Sequence, residues 1–206
     1  MARQTAISIN TIPIGPLGII GMPGCEELTD KIDQYLVKWR RTQASEHAES
    51  IAFFGYQRDT YKIDVSIPRF GSGEGKGVIN ESVRGYDIYI VCDVFNYSCS
   101  YDVYGRKVYM SPDDHFADLK RVISALCSKP KRVSVIMPML YEGRQHKRSS
   151  RESLDCAMAL KELVHLGVEN IITFDAHDQR VQNAIPDKSF ENVMPTYQMI
   201  KALVNN

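Results

Sequence analysis

The sequence predicts an α/β fold of three layers, in which helices flank a mostly parallel sheet of about five strands. Short apolar runs alternate along the chain with longer segments whose apolar residues recur at helical spacing. This alternation is typical of β-α-β units with right-handed crossovers. The length of 206 residues is enough for a substantial core. We therefore expect residues 1–206 to form a single domain.

The composition argues against several classes of function. The 25 basic and 25 acidic residues give a formal net charge of zero, which argues against general nucleic-acid binding. No apolar run approaches the ~20 residues of a membrane helix, and the N-terminus does not have the pattern of a signal peptide. We therefore expect a cytoplasmic protein that does not contact a membrane. The five cysteines form no Cys-x-x-Cys pair, so free thiols are expected instead of a disulfide framework or a zinc site.

The first third of the chain predicts an arm, a strand, a helix and a second strand. Residues 1–16 contain several helix and strand breakers and predict an irregular arm. Residues 17–22 form a short apolar strand, and helical spacing predicts an amphipathic helix over residues 26–42. Residues 51–55 are either a short strand or part of an insertion. Residues 62–70 alternate apolar and polar side chains, as in a strand with one covered face.

The middle of the chain is rich first in glycine and then in tyrosine. Residues 71–77 contain four glycines, which permit a sharp turn or the close approach of a ligand. Because no Walker motif is present, a hairpin turn is the simpler interpretation. Residues 87–91 predict a buried strand. Residues 93–110 form either a long loop or a small hairpin inserted in the domain.

The second half continues the alternation of helices and strands. A helix begins at Ser111, with a capping serine, a proline in the first turn and acidic residues near its positive end. The remaining predicted elements are a buried strand over residues 132–138, a helix over 153–166, a strand over 170–174 and a final helix over 194–204.

A basic loop separates the strand that ends at Pro138 from the helix that follows it. Four of its side chains are basic, and two acidic residues accompany them. Guanidinium groups pair with phosphate oxygens in a bidentate manner, so the loop suits a polyphosphate. A solvated basic loop is the alternative. The basic residues are Arg144, Lys147, Arg148 and Arg151, and the acidic residues are Glu142 and Glu152.

Further polar residues follow the strand over residues 170–174. Asp175, His177 and Asp178 come directly after it. Because parallel strands end at the same edge of a sheet, we expect these residues to converge with Arg144 and Gln145. The set would supply cations for phosphates, an amide for a base or ribose, and ligands for a hydrated Mg²⁺. A capping or structural role is the alternative for His177.

Five segments occur in the order and at the spacing of one enzyme family. They are residues 69–74 (RFGSGE), 80–85 (NESVRG), 111–119 (SPDDHFADL), 136–145 (IMPMLYEGRQ) and 170–178 (NIITFDAHD). In turn they resemble the RFxDGE, ESVRG, NDNLMEL, IPYFPYARQD and RVITMDLHA motifs of ribose-phosphate pyrophosphokinases, also called phosphoribosyl pyrophosphate synthetases. From Arg69 onwards the chain is similar to the N-terminal domain of that family.

The resemblance implies a phosphoribosyltransferase-like fold and a role in nucleotide biosynthesis. The implied reaction transfers pyrophosphate from Mg-ATP to ribose 5-phosphate, giving phosphoribosyl pyrophosphate and AMP. Catalysis would rest on positioning and charge neutralisation, without a protein nucleophile. The implied nucleotide-binding residues are Phe70, Ser72, Glu74, Arg144, Gln145 and His177, and His177 would also help to hold the metal. Possible further contacts are Asp175, Asp178, Lys147, Arg148 and Arg151.

The sequence departs from the family pattern in three residues and in one domain. Ser72 and His146 stand where the family motifs have aspartate, and Asp178 stands where they have alanine. The family's second, homologous domain carries the ribose-phosphate loop and a basic catalytic loop, and these 206 residues contain neither.

Two hypotheses therefore compete. In the first, the chain is the ATP-binding N-terminal domain of an authentic enzyme, inactive or nearly so without its C-terminal domain. In the second, it is a non-catalytic, synthetase-like regulatory or assembly protein. A free phosphoribosyltransferase fits less well, because its phosphate-binding loop is missing.

The resemblance also implies a homo-oligomer. In this family a loop of a neighbouring subunit completes the nucleotide site. Four tyrosines in the segment over residues 93–110 would lie at such an interface, and a well-ordered surface loop is the alternative. They are Tyr97, Tyr101, Tyr104 and Tyr109.

Overall fold

The computed structural model describes residues 13–46 and 57–205. The predictions for residues 1–12 of the arm and for residues 51–55 lie outside these ranges. In chain order the elements are β1 (Leu17–Gly21), α1 (Glu26–Glu46), β2 (Val65–Ser66), β3 (Val78–Ile79), β4 (Asp87–Val91), β5 (Ser100–Val103), β6 (Arg106–Tyr109), α2 (Pro112–Ala125), β7 (Arg132–Met137), α3 (Asp155–His165), β8 (Asn170–Phe174), a 3₁₀ helix (Gln179–Ala184), β9 (Ser189–Val193) and α4 (Thr196–Asn205).

Five strands form one sheet in the order β1-β4-β7-β8-β9. Every neighbouring pair in this sheet is parallel. Residues that alternate along a strand point to opposite faces, and the two faces bury two separate clusters. Ile88 and Ile90 pack in the cluster that also contains Leu119 and Leu160 of α2 and α3. Val91 and its neighbours pack instead beneath α1. The three-layer α/β prediction is confirmed.

The predicted strand over residues 62–70 is wrong, because most of that segment is not in a strand. Within residues 62–70 only Val65 and Ser66 form a strand, which pairs with Ile79 and Val78 outside the main sheet. Pro68 explains the break, since proline has no N–H to donate to a ladder. Its carbonyl accepts from the backbone N–H of Lys76 at 3.0 Å. The fifth strand of the sheet is β9, which the sequence analysis did not identify.

The start of α2 follows the sequence prediction. Ser111 caps the helix, with Pro112 at its first position, and its hydroxyl accepts from the backbone N–H of Asp114 at 3.2 Å. The carboxylate of Asp114 accepts from the backbone N–H of Ser111 at 2.8 Å, which completes a capping box. The helix ends at Ala125. This cap fixes the helix end that faces the basic loop.

The tyrosine-rich segment contains a hairpin. Strands β5 and β6 pair antiparallel around Tyr104 and Gly105. These two residues have φ angles of 47° and 78°, as a tight two-residue hairpin turn requires. Tyr104 is 82% exposed, whereas Tyr101 turns inward and its hydroxyl donates to Asp114 at 3.1 Å. Three of the four predicted interface tyrosines are therefore free to meet a partner.

The structure bears on the predictions about the cysteines and about membrane-spanning helices. All five cysteines are free, and three of them are buried, as the sequence analysis predicted. In residues 13–46 and 57–205, no helix combines the length and apolar character that membrane crossing requires.

Candidate functional site

The loop over residues 139–154, called the basic loop below, leaves the sheet at the carboxyl end of β7. Tyr141 anchors its start to α2. The tyrosine ring stacks on Phe116 with ring centroids 4.3 Å apart, and its hydroxyl donates to Asp113 at 2.6 Å. Burial, together with this hydrogen bond, raises the pKa of Tyr141, so the hydroxyl remains a donor at neutral pH. The loop therefore starts from a fixed point beside the helix.

Backbone hydrogen bonds hold the basic loop in a compact turn. The N–H of Gln145 donates to the Glu142 carbonyl at 2.8 Å, and the N–H of Cys156 donates to the Gln145 carbonyl at 3.3 Å. Glu142 takes a left-handed conformation with φ of 56°. These contacts leave the side chains of Arg144 and Gln145 exposed.

The cations of the basic loop are free to meet an anion. Arg144, Lys147, Arg148 and Arg151 are all exposed. Within the part of the chain that the structure describes, none of them forms an ion pair or a side-chain hydrogen bond. Four unpaired cations in one short loop create a strongly positive surface.

The basic loop meets the segment after β8 through His146, while the predicted convergence of Arg144 and Gln145 with that segment stays a prediction. His146 Nε2 lies 3.3 Å from Asp178 Oδ2. The imidazole of His146 also lies edge-on to that of His177, with centroids 5.2 Å apart. Nothing in the sequence pattern predicted that His146, noted only as a departure from the family motifs, would join the two strand ends.

Asp178 has a structural role in addition to its contact with the basic loop. It caps the 3₁₀ helix by accepting from the backbone N–H of Arg180 at 2.8 Å. Its carboxylate also accepts from the Arg180 guanidinium at 2.5 Å. These bonds hold the pKa of Asp178 well below its usual range, so it is a carboxylate at neutral pH. Its oxygens accept from Arg180 and lie against His146.

His177 and Asp175 are the freer members of this segment. Both are exposed. Among residues 13–46 and 57–205, His177 has no hydrogen-bond partner, so the capping role at this strand end belongs to Asp178.

Strand β9 positions the segment that carries these two residues. The N–H of Asp175 donates to the Val193 carbonyl at 3.1 Å. The next N–H, that of Ala176, donates to the Asn192 side chain at 2.9 Å. The strand that the sequence analysis did not identify therefore holds the backbone before His177.

The described side chains do not form a dedicated magnesium cage. No group of three or more histidine, cysteine, aspartate or glutamate side chains in residues 13–46 and 57–205 has the spacing of a metal site. Mg²⁺ prefers six oxygen ligands and often keeps several waters or phosphate oxygens. This site could contribute at most one or two ligands to such an ion.

Three of the predicted nucleotide-binding residues, Phe70, Ser72 and Glu74, lie on the turn that follows Arg69. The backbone N–H of Gly73 donates to the Phe70 carbonyl at 2.8 Å, and the backbone N–H of Phe70 donates to the Glu74 carbonyl at 2.9 Å. Gly73 has φ of 92°, which favours glycine. The segment is therefore a hairpin turn. It leaves the Phe70 ring 58% exposed and places the Ser72 hydroxyl 2.8 Å from Glu74 Oε2, to which it donates.

Arg69 fastens this turn to α2. Its guanidinium pairs with Asp118 at 2.5 Å and donates to the Gly73 carbonyl at 3.2 Å. The same group lies 4.2 Å from the centroid of the Tyr101 ring. The side chain of Asp118 is only 2% exposed, and burial raises its pKa although Arg69 and Arg121 act in the opposite direction. The turn and the β5–β6 hairpin are thus held on one helix.

The two sets of predicted nucleotide-binding residues are not bonded to each other within the described chain. Among the described residues, no hydrogen bond, ion pair or ring contact joins the turn over residues 69–75 to the basic loop or to residues 175–178. Both segments are held on α2, one through Asp118 and the other through Asp113 and Phe116.

Comparison with known proteins identifies the family. A family model described as the N-terminal domain of ribose phosphate pyrophosphokinase matches residues 17–167. The chain belongs to the ribose-phosphate pyrophosphokinase family. Phe70 and Arg144 lie inside the matched region, whereas His177 lies beyond it.

Individual relatives agree with this assignment. Ribose-phosphate pyrophosphokinase 1 of Schizosaccharomyces pombe is 30% identical over 66% of this chain and 30% of its own length. A ribose-phosphate pyrophosphokinase of Vibrio parahaemolyticus is 26% identical over 65% of this chain and 38% of its own length. The chain thus spans well under half the length of these two pyrophosphokinases.

A solved structure supports the fold. The phosphoribosylpyrophosphate synthetase of Mycobacterium smegmatis matches 92% of this chain and 52% of its own, with a TM-score of 0.67 and 18% sequence identity. The coverage of 92% extends the similarity beyond the region of the pyrophosphokinase family model.

Proposed function

We propose that this chain is the ATP-binding N-terminal domain of a ribose-phosphate diphosphokinase. The complete enzyme would convert ATP and ribose 5-phosphate to phosphoribosyl pyrophosphate and AMP. The observation that carries the proposal is the set of four unpaired cations on the basic loop, at the sheet edge where His177 also lies. Membership of the family supplies the reaction.

The chemistry of the basic loop suits the polyphosphate of ATP. Arg144, Lys147 and Arg148 would neutralise the charge that spreads over the transferred group, and Gln145 would bond the nucleotide through its amide. A fixed loop costs little reorganisation on binding. The anchor at Tyr141 and the backbone bonds within the loop support this role.

Magnesium would enter with the nucleotide. The described side chains do not surround a metal, whereas the phosphates of ATP bring oxygen ligands of their own. His177 and Asp175 are exposed beside the basic loop. They would meet the Mg-ATP complex, either directly or through its bound waters.

The adenine end of the site would involve a second copy of the chain. Phe70 presents an exposed ring that can stack on a base. Among the described residues, no hydrogen bond, ion pair or ring contact joins its turn to the basic loop of the same chain. We therefore propose a homo-oligomer in which Phe70, Ser72 and Glu74 of one copy complete the nucleotide site of another.

Ribose 5-phosphate would bind elsewhere in the complete enzyme. The curated relatives are much longer than their match to this chain. We propose that the sugar-phosphate site and the remaining catalytic residues lie on a second domain of the kind those relatives have room for.

One observation favours a non-catalytic alternative. The Ser72 hydroxyl donates to the Glu74 carboxylate at 2.8 Å, so in the ligand-free chain this hydroxyl bonds its own turn. A synthetase-like regulatory or assembly protein would tolerate serine at position 72 in place of the aspartate of the family motif. Nucleotide binding separates this alternative from the main proposal.

Calorimetric titration with ATP, with and without Mg²⁺, tests the proposal. We expect magnesium-dependent binding that weakens about 10- to 100-fold in Arg144→Ala and His177→Ala, since a hydrogen bond to a charged group contributes ~1.5–3 kcal/mol. Arg84→Ala is the matched control. Arg84 is exposed and lies just before β4, at the amino ends of the parallel strands, whereas the basic loop lies at their carboxyl ends. Absence of binding at millimolar Mg-ATP would contradict the proposal and favour the assembly protein.

A further inference from the structure

His146 lies between two hydrogen-bond acceptors. Its Nδ1 is 3.2 Å from the backbone carbonyl oxygen of Arg144, and its Nε2 is 3.3 Å from the Asp178 carboxylate. The side chain is only 11% exposed. A carbonyl oxygen and a carboxylate can accept but not donate, so a ring N–H of His146 can donate toward either of them.

The two acceptors belong to different parts of the proposed site. One is the backbone of Arg144, whose guanidinium is a proposed phosphate contact. The other is the side chain next to His177 in sequence. Because one ring holds both, the position of the basic loop depends on the end of β8.

The anchor for this contact is itself rigid. Arg180 holds the Asp178 carboxylate through its guanidinium and its backbone N–H. Only 14% of the Asp178 side chain is exposed. His146 therefore attaches the basic loop to a group that cannot easily move.

The sequence supplies a second, independent observation. His146 and Asp178 are two of the three positions at which this chain departs from the family motifs. They are 32 residues apart in the sequence, yet they contact each other. The contact therefore ties the basic loop to a segment that is distant in the sequence.

We propose that His146 and Asp178 form one positioning pair, which fixes Arg144 against His177 for nucleotide binding. Neither residue needs to touch the ligand. The pair acts by holding the basic loop over the end of β8 before the ligand arrives. This inference rests on the proposed nucleotide site, and its test therefore includes a measurement made without nucleotide.

A double-mutant cycle measures the pairing. The variants are His146→Ala, Asp178→Asn and the two together, and the measured quantity is the dissociation constant for Mg-ATP. Asparagine at position 178 can still cap the 3₁₀ helix through its side-chain oxygen. We expect each single change to weaken binding about 10-fold, and the double variant to be no weaker than about 10-fold, because both remove the same contact. If the double variant binds Mg-ATP about 100-fold more weakly than wild type, or if neither single change weakens binding, the proposed pairing is overturned.

Hydrogen exchange on the ligand-free chain provides the second measurement. Each single variant should exchange faster at the backbone amides of residues 144–152 and 175–178, while the amides of β4 and β7 remain protected. Unchanged exchange in the basic loop would overturn the inference. If the wild-type chain binds no nucleotide, the proposed function fails, and the exchange experiment alone decides whether the pair holds the loop.

The matched control is an ion pair away from the site. Lys62 and Asp30 pair at 2.6 Å, with each side chain about half exposed. Lys62→Ala with Asp30→Ala removes a more exposed ion pair that joins α1 to the segment before β2. It should change neither the nucleotide affinity nor exchange in the basic loop. A general effect of losing an ion pair would appear in this control and would count against a specific role for His146.

Discussion

Arg69 illustrates how much a single residue organises in this domain. Its guanidinium bonds a buried carboxylate and a backbone carbonyl, and it lies over an aromatic ring. The three partners belong to α2, to the turn at Gly73 and to β5. Lysine could not replace these contacts, because an ammonium is a point charge without a planar fork. The exposed ring of Phe70 is therefore presented by the residue that precedes it.

Arg69→Lys should loosen the turn that carries Phe70. We expect it to lower the free energy of unfolding by ~1–2 kcal/mol, since at least one charged hydrogen bond and the ring contact are lost. Urea unfolding measures the stability, and hydrogen exchange at Gly73 and Glu74 measures the turn. Arg121→Lys is the control, because Arg121 makes a single bond to Asp118 and is 33% exposed. Equal effects of the two changes would contradict a special role for Arg69.

Elements with strong local signals could be predicted from the sequence, and those that depend on distant partners could not. The cap at Ser111 was predicted because every group involved lies within four residues. The segment over residues 62–70 was misassigned because its alternation is real but Pro68 interrupts its pairing. Strand β9 was missed because, as an edge strand, it alternates half-buried and exposed residues and includes no fully buried one. Its pattern therefore resembles that of a loop.

The same distinction applies to the candidate site. The basic loop and residues 175–178 could be placed at one edge from the order of strands alone. The contacts that fix them could not be predicted, because His146 with Asp178 and Arg69 with Asp118 join residues far apart in the chain. No periodicity or local motif records such a pairing.

The turn over residues 69–75 also depends on close packing between the segment that follows it and α2. A Cβ atom added at Gly77 would lie 2.6 Å from the backbone carbonyl oxygen of Arg121. Gly77→Ala should therefore push the segment away from the helix and cost ~1–3 kcal/mol of stability. Gly71→Ala is the matched control, since nothing lies within 4 Å of its Cβ position. We expect the control to be neutral or slightly stabilising in thermal unfolding. Comparable losses in both variants would show that the segment does not need this close approach.

At the scale of the whole molecule, several surfaces are exposed among residues 13–46 and 57–205. Helix α4 buries none of its residues. Tyr97, Tyr104 and Tyr109 are each at least 60% exposed. Exposed aromatic residues are enriched at protein interfaces, and no described hydrogen bond, ion pair or ring contact joins the two groups of proposed nucleotide contacts within one chain. Both observations agree with a site that is shared between copies.

Mixing two defective variants tests the shared site directly. In a two-fold dimer with sites between copies, Phe70→Ala and Arg144→Ala damage opposite sides of each site. After subunit exchange between equal amounts of the two variants, about a quarter of the sites should contain neither change. Calorimetry with Mg-ATP should then recover that fraction of wild-type binding, although each variant alone binds weakly.

A mixture of Arg144→Ala with His177→Ala is the control and should recover nothing, because both residues lie on the same side of the site. No recovery in the first mixture, from a protein that elutes as an oligomer in gel filtration, would place the whole nucleotide site within one chain.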